Sequence, residues 1–308
     1  MAIKITAVGD IMPCDGFYSC GFGMGTKIEE KGGYHPYKYI QPELKGDIII
    51  GNLECPISIK GNHHKMPLMG GIEAVNGLKK AGFTILNVAN NHILQYGTTM
   101  HHETMETLRN NGMTPINHLT PIPIEKKGEM IGFYGFSLIN SPTGVYCTIQ
   151  DVLKTIKPDD HDHTIISLHW GKEFIPMPED WQIKMAHKLI DKGADIIIGH
   201  HSHNVQPITR YKEGIIIYSL GNFISDMTEG RSANGCIITM DLDSHDTAIT
   251  PTHMGKDLCC RRGWKQVSAL WSVGMERRLH VLRNIYRYDP PYLYSLIKNA
   301  INRRRGKI

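Results

Sequence analysis

Short apolar runs at residues 3–8, 47–51, 84–88, 164–168 and 195–198 alternate with stretches of helical periodicity, and that alternation restricts the chain to an α/β fold. The run Ile48-Ile49-Ile50 is apolar at every position, the pattern of a strand covered on both faces. A further strand is expected at 130–136. Helices are expected at 36–44, 72–81, 98–111, 149–156 and 179–192, with Gly82, Gly112 and Gly193 as stop signals. Later β runs at 205–210, 215–220, 235–241 and 246–252 are spaced as hairpins and add an antiparallel portion. The glycine-containing loop at 56–71 is expected to be a mobile flap.

With 308 residues, 41% hydrophobic and 21% charged, the chain can bury a large core, which excludes collagenous, coiled-coil and disordered classes. No stretch reaches the roughly 18 uncharged apolar residues that would cross a bilayer. The N-terminus lacks the charged-then-apolar pattern of a secretory leader, so a cytoplasmic protein is expected. Seven cysteines, an odd number without metal-knuckle spacing, read as free thiols. The net charge of +4 hides an asymmetry: residues 256–308 carry 13 Lys/Arg against 3 Asp/Glu. In that segment Val267, Leu270, Trp271, Met275, Leu279, Leu282 and Tyr286 share one helical face, and Pro290-Pro291 opens a second helix. The chain therefore divides into a body at 1–255 and a basic helical extension at 256–308. The extension is expected either to contact an anionic membrane at its inner face or to stay solvated. No nucleic-acid partner is expected.

Polar residues follow the apolar runs repeatedly. Strand ends deliver Gly9-Asp10, then Gly51-Asn52-Leu53-Glu54, then Ala89-Asn90-Asn91-His92. Later ends deliver His169-Trp170-Gly171-Lys172-Glu173, Gly199-His200-His201-Ser202-His203 and Ser219-Leu220-Gly221-Asn222-Phe223. Each alone has an ordinary explanation as a turn, a cap or a hydrogen-bonded core residue. In α/β sheets, however, strand carboxyl ends gather on one rim, and so many polar groups there are costly to bury unless they serve a ligand. Imidazole with carboxylate and amide oxygen suits Zn²⁺, Mn²⁺ or Fe²⁺.

These six motifs, in this order, resemble those of capsule-synthesis CapA (poly-γ-glutamate synthesis PgsA) proteins, which are similar in fold to the calcineurin-like metallophosphoesterases. The resemblance spans roughly residues 2–252. It implies a four-layer sandwich of two mixed β-sheets flanked by helices, to which the helical tail read above is appended. It also implies metal ligation by Asp10, Glu54, Asn91, His169, His201 and His203, with Glu54 bridging two ions. By the same resemblance His92 protonates a leaving oxygen and Asp10 and Glu54 take part in catalysis, while Asn52, Trp170, Glu173 and Asn222 orient ligands or substrate. Two positions depart from the pattern. Met12 stands where the phosphoesterases have a histidine, which leaves one ion position with Asp10, Glu54 and His203 only. Gln95 stands where family members often have Asp.

Three readings follow. The first is a hydrolase or transferase with one or two divalent ions, acting on a phosphate- or amide-linked small molecule, polymer or peptide of surface-polymer synthesis. The second, holding no ion, is an acid–base epimerase or isomerase working through Asp10, Glu54, His92 and His169, with Cys14 as a proton carrier or else a small buried hydrophobe. The third is a non-catalytic assembly factor of capsule synthesis.

Overall fold

The computed structural model describes residues 2–60, 66–117 and 121–263. Two sheets lie face to face. The first orders its strands Cys260–Arg262, Thr247–Met254, Asn234–Asp241, Lys4–Ile11, Ile48–Leu53, Ile85–Asn87 and Thr114–Ile116, with Asn222–Ile224 pairing beside Lys4–Ile11. Its pairs from Lys4–Ile11 to Thr114–Ile116 are parallel, and those from Lys4–Ile11 to Cys260–Arg262 antiparallel. The second orders Ile208–Tyr211, Gly214–Ile217, Ile196–His200, His163–His169, Glu129–Ser137 and Ile122–Lys126, with a parallel centre and an antiparallel strand at each edge.

Side-chain alternation along these strands builds three cores. Ile48, Ile50 and Ile85 of the first sheet meet Ile165, Ile196, Ile198, Ile215 and Ile217 of the second. Ile49 and Leu86, pointing the other way, pack against Ala74, Val75, Leu78 and Leu108. Those residues belong to the helices Ile72–Ala81 and Gly97–Asn110. On the far side Ile166, Ile197 and Ile216 pack against Val152, Met185, Ala186 and Leu189 from the helices Ile149–Thr155 and Asp180–Asp191. Both sheets are thus buried on both faces, which is why their strands read as unbroken isoleucine runs. The result is helices, sheet, sheet, helices: the four-layer sandwich expected.

Three local expectations change. Residues 36–44 form no α-helix but two single turns, His35–Tyr37 and Gln41–Glu43. Pro42 has no N–H to donate to an α-helical carbonyl one turn earlier, so the chain closes in shorter turns, each with a proline at its start. A helix at Met24–Lys31 was not expected; only Met24 and Ile28 of its apolar residues are buried, too few to show a period. The 56–71 segment is pinned at both ends, because Ile57–Ser58 pairs with Gly70–Gly71 and the Leu68 amide donates to Asp15 O at 2.7 Å. Residues 61–65 at its centre lie outside the described residues. So do most of the basic extension and its helical face, at 264–308. The strand Cys260–Arg262 completes the edge of the first sheet, so the sheet body continues past residue 255. Among the described residues no helix is long and apolar enough to cross a membrane.

Candidate metal centre

Strand register assembles the site. In the first sheet Asp10 is opposite Asn52 on one side and Asn222 on the other, and Asn52 is opposite Asn87. A register shift between Ala7 and Asp10 re-aims the end of the strand. In the second sheet His169 is opposite His200. These two polar rows close the same end of the inter-sheet core, and the segments that follow carry Glu54, Asn91, His201 and His203 over it.

Two sets of ligand-type atoms result, each with all members within 4.8 Å of one another: Asp10, Glu54 and His203, and Glu54, His169 and His201. All five residues are buried, and Glu54 belongs to both sets. Asn91 joins the second set through its Oδ1, 2.8 Å from His169 Nε2, which lies 3.4 Å from Glu54 Oε1. In the first set His203 Nδ1 is 3.5 Å from Asp10 Oδ2, and His203 Nε2 is 3.9 Å from Glu54 Oε1. Ligands about 2.1 Å from one ion at ordinary coordination angles stand roughly 3.0–3.4 Å apart, so the second set is close to that spacing and the first is looser.

Buried polar atoms without hydrogen bonds support the fit. Glu54 Oε1 and His201 Nδ1 have none, although both are shielded from water. A divalent cation is the partner that a carboxylate oxygen and an imidazole nitrogen in one pocket share. The surrounding hydrogen bonds fix ring orientations. Asn222 Nδ2 donates to Ser232 O at 2.8 Å, so its Oδ1 faces His203 Nδ1 at 2.9 Å and leaves His203 Nε2 turned toward Glu54. Asn52 Nδ2 contacts Asp10 Oδ1 at 2.9 Å, Glu54 Oε2 at 3.4 Å and His169 Nδ1 at 3.3 Å.

Electrostatics divide the two acids. Burial raises the Glu54 carboxyl well above the usual range, and the Asp10 charge adds to that. Burial acts on Asp10 too, but hydrogen bonds from His200 and His203, with their charges, hold its carboxyl well below the usual range. For His203 burial is outweighed by the Glu54 charge and the Asp10 hydrogen bond, and the ring is raised to about 10. His169 is lowered well below its ordinary value by burial and then by His201. His201 and His92 are each lowered to about 4, by burial and then by the His203 charge.

Of the residues singled out from sequence, Asp10, Asn52, Glu54, Asn91, His169, His201, His203 and Asn222 converge. His92 lines the adjoining cavity, and Glu173 stands exposed at its mouth. Trp170 does not belong with them. Its ring packs in the outer core against Tyr218 and Trp181, and Nε1 donates to Tyr218 O at 3.0 Å, because the residue after His169 points to the opposite face of the strand. Met12 is buried on the cavity wall at the departed position. Cys14 also lines the cavity; a hydrogen bond with Cys55 and then burial raise its thiol well above the ordinary value, so it stays protonated.

Sequence reasoning quoted His200 and Asn90 within its motifs without giving them a role, and passed over Asn87. His200 Nδ1 sits 3.2 Å from Asp10 Oδ1. Asn87 and Asn90 both donate to Asn52 Oδ1 at 3.4 Å. Period-two alternation held the signal for His200: Ile196 and Ile198 face inward, so His200 must as well.

A family model described as "Bacterial capsule synthesis protein PGA_cap" matches residues 4–119 and 124–227. The capsule biosynthesis protein CapA of Bacillus anthracis is 30% identical over 280 residues, covering 80% of this chain and 66% of that protein. The PGA biosynthesis protein CapA of Bacillus subtilis is 29% identical over 277 residues, covering 81% of this chain and 71% of its own. This chain thus matches about two thirds of the length of those relatives. Among solved structures, a phosphatase from Mycoplasma pneumoniae superposes with a TM-score of 0.51 at 15% identity, covering 82% of this chain and 93% of its own, which shows a shared fold. On the family match, over most of the body and across all six strand-end motifs, the chain belongs to the bacterial capsule synthesis PGA_cap family.

Proposed function

We propose that the chain is a divalent-metal-dependent hydrolase or transferase of phosphoesterase type, acting on a polymer or peptide of surface-polymer synthesis. The observation that carries this reading is the sharing of buried Glu54 between two ligand sets. Glu54, Asn91, His169 and His201 would hold one ion, and Asp10, Glu54 and His203 a second, weaker one. A bound divalent ion supplies Lewis acidity, which polarises a phosphoryl or carbonyl oxygen and acidifies water.

The chain's own residues do the rest. Asn52 ties Asp10, Glu54 and His169 in one frame, and Asn222 fixes the His203 ring. Met12, Leu68 and Met227 give the cavity an apolar wall that restricts water near the reacting bond. His92, on the same wall, is the group placed to hand a proton to the leaving atom. Held down to about 4, its ring is neutral at pH 7, so it would accept a proton from the attacking water and pass that proton on to the leaving atom. The names of the Bacillus relatives, in capsule and PGA biosynthesis, support the substrate class.

Hydrolysis of bis(4-nitrophenyl) phosphate with added Mn²⁺ tests the reading. Wild type should exceed an Asn91→Ala, His201→Ala double variant by at least about 100-fold, the scale of a lost metal centre. Equal rates in the two proteins would end it.

A further inference from the structure

A cavity of about 480 Å³ opens over His92 and His203, and its outer wall carries Phe17, Tyr18 and Phe174. These rings are 60%, 100% and 52% exposed, so core packing does not explain their clustering at one opening. Their backbone is nevertheless held firmly. Asp226 accepts from the Gly16 amide at 2.9 Å and from Ser19 Oγ. Buried Asp15 accepts from the amides of Gly21 and Thr26 at 2.8 and 2.9 Å and from Thr26 Oγ1 at 2.6 Å. The loop bearing Phe17 and Tyr18 is therefore tied at both ends.

Phe174 is the more telling residue. Its φ is +61°, a left-handed conformation that is unfavourable for a bulky side chain. Its amide donates to Ser202 O at 2.8 Å, and its ring lies 5.7 Å from that of His203. His201 and His203 themselves have φ of +88° and +52°. Strain at Phe174, His203 and Leu68 (φ +58°), which all line this cavity, with the aromatic ring of Phe174 left largely in water, is explained if that ring's place serves a ligand.

We propose that Phe17, Tyr18 and Phe174 form an aromatic clamp for an uncharged ring, aryl or sugar, that the substrate carries next to the reacting bond. The assignment rests on the hydrolase reading above and narrows its substrate. Glu173 at the mouth, with no Lys or Arg among the described lining residues, matches a neutral group better than an anionic one.

Calorimetric binding to the Mn²⁺-loaded chain tests it with phenylphosphonate, a glucopyranosyl methylphosphonate and methylphosphonate. At least one ring-bearing probe should bind about tenfold more tightly than methylphosphonate, the scale of one to two aromatic contacts. Which of the two does so tells an aryl ring from a sugar. In Phe174→Ala and, separately, in Phe17→Ala the preference should fall to threefold or less. A wild-type preference below threefold, or one that both variants keep, overturns the clamp. If no phosphonate binds, the metal-hydrolase reading fails, and the clamp is judged by saturation-transfer NMR with benzamide and methyl β-glucoside without metal. A signal in wild type that Phe174→Ala loses sustains it; no signal, or equal signals, overturns it.

Discussion

One amide nitrogen of Asn52 lies within 2.9–3.4 Å of Asp10, Glu54 and His169. Two carboxylates and an imidazole are thereby held together out of water, where unpaired they would be costly. Asn222 does the same for a single ring, and its effect is separable. Asn222→Ala leaves His203 Nδ1 held by Asp10 without its amide partner and should weaken binding at the Asp10–Glu54–His203 position about 10- to 100-fold, read by competition with a fluorescent chelator. Met12→Ala, at a wall position that supplies no ligand, should leave metal affinity within about threefold. Met12→His tests the departure from the phosphoesterase pattern: by restoring an imidazole it should raise the Mn²⁺ content at low free metal from about one ion per chain toward two. An unchanged content would show that the three-ligand position is limited by something other than ligand number. At this scale the sequence was legible wherever a motif lay at or just beyond a strand end, as with Asp10, His169 and His201. It was not legible for Phe174, whose place depends on a positive φ that no residue type announces.

Among the elements, the approach of Lys4–Ile11 to the Asn222–Ile224 strand sets the distance from Asp10 to the Asn222–His203 pair. A Cβ on Gly9 would lie 1.9 Å from Gly221 O, so the two backbones meet only because position 9 has no side chain. Gly9→Ala must push them apart; we expect a loss of about 3 kcal/mol in urea unfolding together with weakened metal binding. Thr148→Ala removes one half of a reciprocal cap on Ile149–Thr155, far from these ligands, and should cost about 1 kcal/mol with metal binding unaltered. Three of the four helices that could be read beforehand had both a buried stripe and a glycine stop, and Ile149–Thr155 was read without them. Ile72–Ala81 buries Ala74, Val75, Leu78 and Ala81 and ends at Gly82 with φ of +98°. Met24–Lys31 ends at Gly32 with φ of +87° but lacks the buried stripe, and it is ordered by tertiary hydrogen bonds from its first turn to Asp15, which local sequence does not encode. The edge strand Ile122–Lys126 is half-exposed and contains Pro123, so its pattern is similarly faint.

Over the whole molecule, the folded sandwich keeps a set of ionisable groups from their ordinary protonation states, and stability without metal should therefore depend on pH in both directions. His92 and His201, at about 4, and His169, lowered well below its ordinary value, stay neutral in the native protein, whereas the unfolded chain protonates them below about 6.5. Stability is thus lost as pH falls from about 6.5 toward 4. His203, raised to about 10, works the opposite way: the native state keeps a proton that the unfolded chain releases, so its contribution is full below about 6.5 and is lost as pH rises toward 10. Raised Glu54 acts in the same sense as His203, but below pH 6.5 it is one group against three histidines. Chelated protein should consequently show its highest Tm near pH 6.5, with a decline on either side. A Tm flat from pH 5 to 9 would contradict these shifts. The layered architecture was readable in advance because double-sided burial writes itself as isoleucine runs, but the closeness of the two polar rows follows from register, which a single sequence does not display. The most direct measurement is anomalous diffraction at the manganese edge from crystals grown with Mn²⁺ and no chelator. We predict a peak bounded by Glu54, Asn91, His169 and His201, with a weaker one beside Asp10 and His203. Well-ordered side chains at these positions with no anomalous peak between them would contradict the account.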